Sequence, residues 1–163
     1  MNTKGHTIIL GSGSPRRREL LAGLDLTFEV DTRNNFEEIY DPATPQESIP
    51  AVLSEGKSLG FHRDLSDKEI LMTSDTLVLC EGKVMGKPCG REEAIGMIRS
   101  LSGRWHQVIT AVTVRDSKHM KTVSDTAFVH FKELSDNEIE YYVDTYHPFD
   151  KAGAYGIQEW IGY

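Results

Sequence analysis

Short apolar runs alternate along this chain with stretches whose apolar residues recur every three or four positions, and the switch between the two periods separates strands from helices. Thr7-Ile8-Ile9-Leu10 reads as a short β-branched strand. It runs into Gly11-Ser12-Gly13-Ser14-Pro15, a turn ending in an N-cap serine with proline at the first helical position. A helix over about residues 16–24 follows, with Leu20, Leu21 and Leu24 as its apolar stripe. Thr44-Pro45-Gln46-Glu47 combines a capping threonine, an N1 proline and an N3 glutamate, and predicts a second helix running to about residue 61, with Pro50 near its start as the feature that speaks against it. Residues 69–80 read as a strand, Glu81-Gly82 as a tight turn and residues 83–85 as the return strand. Residues 91–101 place Ala94, Ile95, Ile98 and Leu101 on one helical face, ended by Ser102-Gly103. Residues 108–115 and 122–131 flank the polar turn Asp116-Ser117-Lys118 and predict an antiparallel pair. Ser135-Asp136-Asn137-Glu138 is a capping box opening a helix to about residue 145, and a loop over 148–154 closes the readable part. The order implies an α/β fold, a mixed β-sheet with flanking helices.

Composition narrows the class. A chain of 163 residues is expected to form one domain over its whole length, and it shows no internal repeat or linker. No apolar run approaches the roughly 20 residues a bilayer span needs, and the start, Met1-Asn2-Thr3-Lys4-Gly5-His6, lacks the apolar stretch of a secretory signal, so no membrane partner and a cytoplasmic location are expected. The formal net charge of −7 disfavours a nucleic-acid partner, since duplex binders draw affinity from a basic face. A small anion needs only a local cluster of cations or carboxylates that hold a bridging metal. Cys80 and Cys89 are too far apart for a CxxC pair and too few for a disulfide framework, and are read as reduced and structural. His6, His62, His106, His119, His130 and His147 show no metal-ligand spacing and read as surface or satisfied strand residues.

Four segments carry candidate chemistry. Ser12-Gly13-Ser14-Pro15-Arg16-Arg17-Arg18 leaves backbone N–H groups at a helix N-terminus, a place that attracts anions and disfavours cations. Three arginines there call for a negative group beside them, and arginine's planar fork suits phosphate; the segment reads equally as a capped helix with a solvated basic turn. In Thr73-Ser74-Asp75-Thr76 the two-residue period puts Asp75 on the face of Leu71, Leu77 and Leu79. A charge there must be paired, metal-bound or at a wet cleft, or else the aspartate is a structural one bonded to a turn. Gly86-Lys87-Pro88 extends the backbone at Lys87, either aiming it at a phosphate or leaving it solvated in a turn. Asp150-Lys151-Ala152-Gly153-Ala154-Tyr155-Gly156-Ile157-Gln158 offers close backbone approach and an amide suited to a base edge, or a tight packed turn with an exposed ion pair. Glu37-Glu38 after Phe36 is either a metal-binding pair or a solvated acidic turn.

Taken in this order, the stretches Leu10-Gly11-Ser12-Gly13-Ser14-Pro15-Arg16-Arg17-Arg18-Glu19-Leu20-Leu21, Ser74-Asp75-Thr76, Gly86-Lys87-Pro88, Leu101-Ser102-Gly103-Arg104 and 150–158, with Lys57 after Ser54-Glu55-Gly56 and with Glu38, resemble the Maf family of nucleotide pyrophosphatases. The resemblance implies two lobes around a deep cleft, similar to the inosine triphosphate pyrophosphatase fold, in a cytoplasmic and often dimeric enzyme. It implies a divalent metal, Mg, Mn or Co. Arg16, Thr76 and Gln158 match the subgroup acting on dTTP and UTP rather than the one acting on 7-methyl-GTP, and modified pyrimidine triphosphates fall within the same expectation.

The implied reaction is attack of water on the α-phosphorus with departure of pyrophosphate. Asp75 is the catalytic residue, as general base or as a metal ligand that orients the water, and Glu38 shares the metal. Ser12, Arg16, Arg17, Lys57, Thr76, Lys87 and Gln158 are the substrate-binding residues, with Thr76 and Gln158 helping to choose the base. The alternative is a non-catalytic nucleotide-binding regulator of septum formation and cell division. Two departures from the family pattern stand out: Gly11 replaces an alanine, expected to be tolerated, and the sequence stops at Tyr163, where the family continues through a further strand and helix.

Overall fold

A computed structural model describes residue 3 and residues 5–163. Residues 1, 2 and 4, part of the start read above as lacking a secretory signal, lie outside the described residues. The elements are β1 (Thr7–Leu10), α1 (Pro15–Ala22), β2 (Phe28–Val30), α2 (Ile49–Leu59), β3 (Glu69–Cys80), β4 (Lys83–Met85), α3 (Arg91–Leu101), β5 (Trp105–Arg115), β6 (Met120–His130) and α4 (Asp136–Tyr146). Strands β2-β1-β3-β5-β6 follow one another across a six-stranded sheet, with β4 also paired to β3. The sheet is mixed: β1 runs parallel to β2 and to β3, with Ile9 opposite Leu71, whereas β4 is antiparallel to β3, with Val78 opposite Met85.

The chain divides into two compact units, Met1–Asp75 with Thr110–Asp125, and Thr76–Ile109 with Thr126–Tyr163. In the first unit, β1 is buried on both faces, which is why its apolar run is unbroken. Ile8 and Leu10 pack with Leu21 of α1, while Ile9 on the opposite face packs with Phe61, Leu65 and Leu71. In the second unit, the stripe Ala94, Ile95, Ile98 and Leu101 of α3 meets Ile139, Tyr142 and Val143 of α4 around Val78, Cys80 and Met85. The capping box of α4 forms as expected: the Glu138 backbone N–H donates to Ser135 Oγ, and the Glu138 carboxylate accepts from the Ser135 N–H at 2.8 Å. Glu81 and Gly82 both take positive φ, the conformation a two-residue hairpin turn of this hand needs.

Several expectations need correction. Leu20 and Leu24 are exposed, and of the expected α1 stripe only Leu21 is buried, because α1 ends at Ala22 and turns a single apolar position inward. Ser14 sits at the N-cap of α1, but its side chain makes no capping bond; its N–H donates instead to Ser12 Oγ. The motif at Thr44 opens only the short 3-10 turn Gln46–Ser48, and α2 begins at Ile49 with Pro50 in its first turn, where no intrahelical N–H is required. Strand β2 was not expected, and β5 starts three residues earlier than the sequence suggests. Cys80 is buried as read, but Cys89 is exposed and so is not a packing residue. No helix among the described residues is long and apolar enough to cross a membrane.

Candidate functional site

Asp75 closes the first unit's stretch of β3, two residues after Thr73, which fastens this strand to Ser54 of α2. Thr73 Oγ1 donates to the Ser54 carbonyl at 2.8 Å, and Ser54 Oγ donates back to the Thr73 carbonyl at 3.2 Å. Ser54 Oγ also lies 2.8 Å from Thr113 Oγ1, which in turn lies 3.0 Å from Thr122 Oγ1. Ser54, Thr73 and Thr113 are buried, and a buried polar group without a partner is costly, so the ladder permits one register of α2 against the sheet. That register decides where Lys57 goes. Three residues after Ser54 on the helix, it faces the residue two after Thr73 on the strand.

Lys57 Nζ lies 2.6 Å from Asp75 Oδ1 and 3.0 Å from Glu38 Oε1. The Asp75 side chain is only 13% exposed, so its charge is compensated at close range, as a carboxylate inside an apolar strand requires. Glu38 comes from the loop after β2 and is 61% exposed. The helix α1 adds a second cation: Arg17 Nη1 donates to the Ser74 carbonyl at 2.7 Å and to Ser12 Oγ at 3.4 Å. Burial draws the Arg17 guanidinium below the ordinary arginine value, and the charge of Asp75 opposes that shift. The loop carrying Ser12 is pinned to the strand beside it by the Gly11 N–H, which donates to the Met72 carbonyl at 2.8 Å. A Cβ at Gly11 would lie 3.0 Å from Thr73 Cγ2 and 3.3 Å from Leu71 Cδ1, so the alanine usual at this place fits only if these two side chains give way slightly.

Of the residues singled out from the sequence, the structure therefore brings together Ser12, Arg17, Glu38, Lys57 and Asp75. Arg16 is half-buried, and its side chain makes no hydrogen bond or ion pair among the described residues. Thr76, Lys87 and Gln158 belong to the second unit. Thr76 is half-buried in β3, while Lys87 and Gln158 are exposed. The segment around Gln158 is tied to α4 and to Lys151: the Gly156 N–H donates to Tyr142 Oη at 3.1 Å, the Tyr142 hydroxyl donates to Glu159 Oε2, and Lys151 Nζ lies 3.1 Å from Glu159 Oε1 and 2.9 Å from Asp150 Oδ1. Lys151, read as half of an exposed ion pair, is in fact buried. His106 is buried too, with Nε2 2.7 Å from Tyr155 Oη. Sequence reasoning gave no role to Ser54, Thr73 or Thr113; what a hydroxyl in an apolar element bonds to is not legible until the elements are packed.

Among the described residues no group of three or more His, Cys, Asp and Glu converges as a metal site. Glu38 and Asp75 nonetheless direct hard carboxylate oxygens at one cationic atom, the Lys57 ammonium nitrogen. This donor set fits a hard divalent ion of the Mg²⁺ kind, which takes one or two carboxylates and fills its remaining positions with water and phosphate oxygens.

Paired carboxylates bridged by a lysine, beside an arginine and a serine-glycine loop on a mixed α/β sheet, are groups that could hold a phosphate-bearing anion together with a cation. Residues 7–163 match the family model described as Maf-like protein. The chain belongs to the Maf family. It is 45% identical to the dTTP/UTP pyrophosphatase of Porphyromonas gingivalis, over 99% of this chain and 82% of that protein. It is 46% identical to the dTTP/UTP pyrophosphatase of Bacteroides thetaiotaomicron, over 99% of this chain and 84% of that one, and 46% identical to that of Flavobacterium johnsoniae, over 98% and 82%.

Proposed function

We propose that this chain hydrolyses dTTP and UTP to the nucleoside monophosphates and pyrophosphate. The observation that carries the reading is the Asp75–Lys57–Glu38 cluster beside Arg17, in a chain whose relatives bear the name of that activity. Asp75 receives the proton of a water whose oxygen attacks the α-phosphorus; the bond from that phosphorus to the bridging oxygen breaks, and pyrophosphate leaves with the electron pair. With Oδ1 held by Lys57, the carboxylate keeps one orientation towards the water. Lys57 and Arg17 offset charge on the phosphoryl oxygens, and the Ser12 loop positions them. Arg16 and Lys87 extend this cationic grip, and Thr76 and Gln158 discriminate the base. A divalent cation, Mg, Mn or Co, held by Glu38 and Asp75, supplies neutralisation of the charge that develops on the phosphates. The family resemblance supports a homodimer, and a nucleoside triphosphate substrate supports a cytoplasmic location.

Phosphate release coupled to inorganic pyrophosphatase, run over the common triphosphates and 7-methyl-GTP with each metal, tests the reading. The expected result is the highest kcat/KM for dTTP and UTP. A higher value for 7-methyl-GTP would overturn the substrate assignment. Tight binding without turnover of any triphosphate would favour a nucleotide-binding regulator of septum formation, a reading that relatives named for a hydrolysis do not support.

A further inference from the structure

We infer that Phe36 is a positioning residue for Glu38, seated on two glycines, one inside α2 and one at its C-terminal cap, and that this seat sets how tightly the site holds its metal. The inference rests on the reading of Glu38 as a metal ligand given above. Glu38 lies in a loop, is largely exposed, and its carboxylate pairs among the described residues with Lys57 alone. An exposed glutamate samples many rotamers, so its reach to the cluster depends on where the backbone carries it. That backbone is anchored two residues earlier. Gly56 lies inside α2 and Gly60, four residues on, is its C-cap; glycine in a helix interior, as at Gly56, is destabilising unless something uses the missing side chain.

Phe36 uses it at both positions. A Cβ at Gly56 would overlap the Phe36 ring, with even Cε1 only 2.7 Å away. A Cβ at Gly60 would lie 2.5 Å from Phe36 Cβ, 2.8 Å from Phe36 N and 2.7 Å from Asn34 Oδ1. Polar ties fix the same stretch. Asn34 Nδ2 donates to the Lys57 carbonyl at 2.6 Å, the Phe36 N–H donates to Asn34 Oδ1 at 2.8 Å, and the Asn35 N–H donates to the Gly60 carbonyl at 2.8 Å. Asn34 thus touches the backbone of the very lysine that the Glu38 carboxylate meets. The turn of α2 bearing Lys57 and the loop bearing Glu38 are joined as one piece, and the Phe36 ring is the packing element of the joint.

The test is Mn²⁺ titration followed by electron paramagnetic resonance, in the presence of a non-hydrolysable α,β-imido pyrimidine triphosphate, on the folded protein and its variants. Gly56→Ala and Phe36→Ala should each weaken Mn²⁺ binding about 10-fold, approaching the loss in Glu38→Gln. The double variant should be no weaker than Phe36→Ala, since both changes act through one contact. Gly96→Ala on α3, where a Cβ meets nothing within 4 Å, should leave binding unchanged. Should Gly56→Ala not fold, Phe36→Leu carries the same comparison. Unchanged Mn²⁺ binding in Gly56→Ala or Phe36→Leu, with Glu38→Gln weakened, overturns the positioning role alone, as do additive losses in the double variant. Unchanged binding in Glu38→Gln removes the metal-ligand reading itself, and the inference with it.

Discussion

At the scale of single residues, the apolar setting of Asp75 is what made it legible: a carboxylate between Leu71 and Leu77 demands a partner. The partner was not legible, because Lys57 is 18 positions away and meets Asp75 only once Ser54 and Thr73 have fixed α2 on the sheet. Asp75→Asn should keep the fold and lose turnover by roughly 10²- to 10⁴-fold, the range for removing a general base; near-normal kcat in a folded variant would take Asp75 out of the mechanism. The three arginines show the limit of reasoning from motif alone. The sequence names both Arg16 and Arg17 for the substrate without telling them apart, since the phase of an eight-residue helix cannot be read from a single buried leucine; in the structure it is Arg17 that reaches the Ser74 carbonyl and the Ser12 hydroxyl. Arg17→Lys removes the planar fork and should cost on the order of 1–3 kcal/mol of transition-state stabilisation, with Arg18→Lys, fully on the solvent side, close to neutral. Arg16→Lys reports whether Arg16 grips substrate: a loss of kcat/KM for dTTP comparable to that of Arg17→Lys supports it, and a value equal to Arg18→Lys removes it.

Among the elements, those with an unmistakable period or cap were read almost to the residue. Strand β3 is stopped by the Glu81-Gly82 turn, α3 carries four apolar residues on one face, and α4 opens with a complete capping box. Strand β2 escaped because three residues, two of them exposed, carry no period, and α2 was started early because the proline at 45 imitates the one at 50. The hydroxyl ladder gives the element scale its test. Thr73→Val keeps shape but leaves the Ser54 carbonyl without its Thr73 hydroxyl donor, and should lower unfolding free energy in urea by about 1–3 kcal/mol. A change within a few tenths would show that the ladder does not hold α2. The cap of α4 should be sensitive to acid. The Lys132 ammonium, with the backbone N–H and hydroxyl of Ser135, lowers the Glu138 pKa from the ordinary 4.5 to about 2. A depressed folded-state value means that the stabilisation is complete above about pH 4.5 and is lost as pH falls towards 2. Melting temperature followed over that window should fall less steeply in Glu138→Gln than in the parent; parallel curves would remove the cap from the acid response.

For the molecule as a whole, a mixed α/β architecture followed from the order of the elements, and the residues of the candidate site within the first unit come from four separate stretches of chain. The position of Lys57 between two carboxylates has a consequence for the protein without its metal. On the reading of Glu38 and Asp75 as the metal's ligands, the chain carries its own counter-ion, so the metal joins a cation already in place rather than filling a bare negative hole. Treatment with a chelator should therefore leave the melting temperature of the parent nearly unchanged. In Lys57→Met the built-in cation is gone; chelated protein should melt several degrees lower than the parent, and Mn²⁺ should restore much of the difference. Equal melting of both chelated proteins would mean that Asp75 and Glu38 tolerate one another without help. On that reading, loss of the ion leaves the chain folded and idle, a reservoir that resumes work as soon as the ion returns.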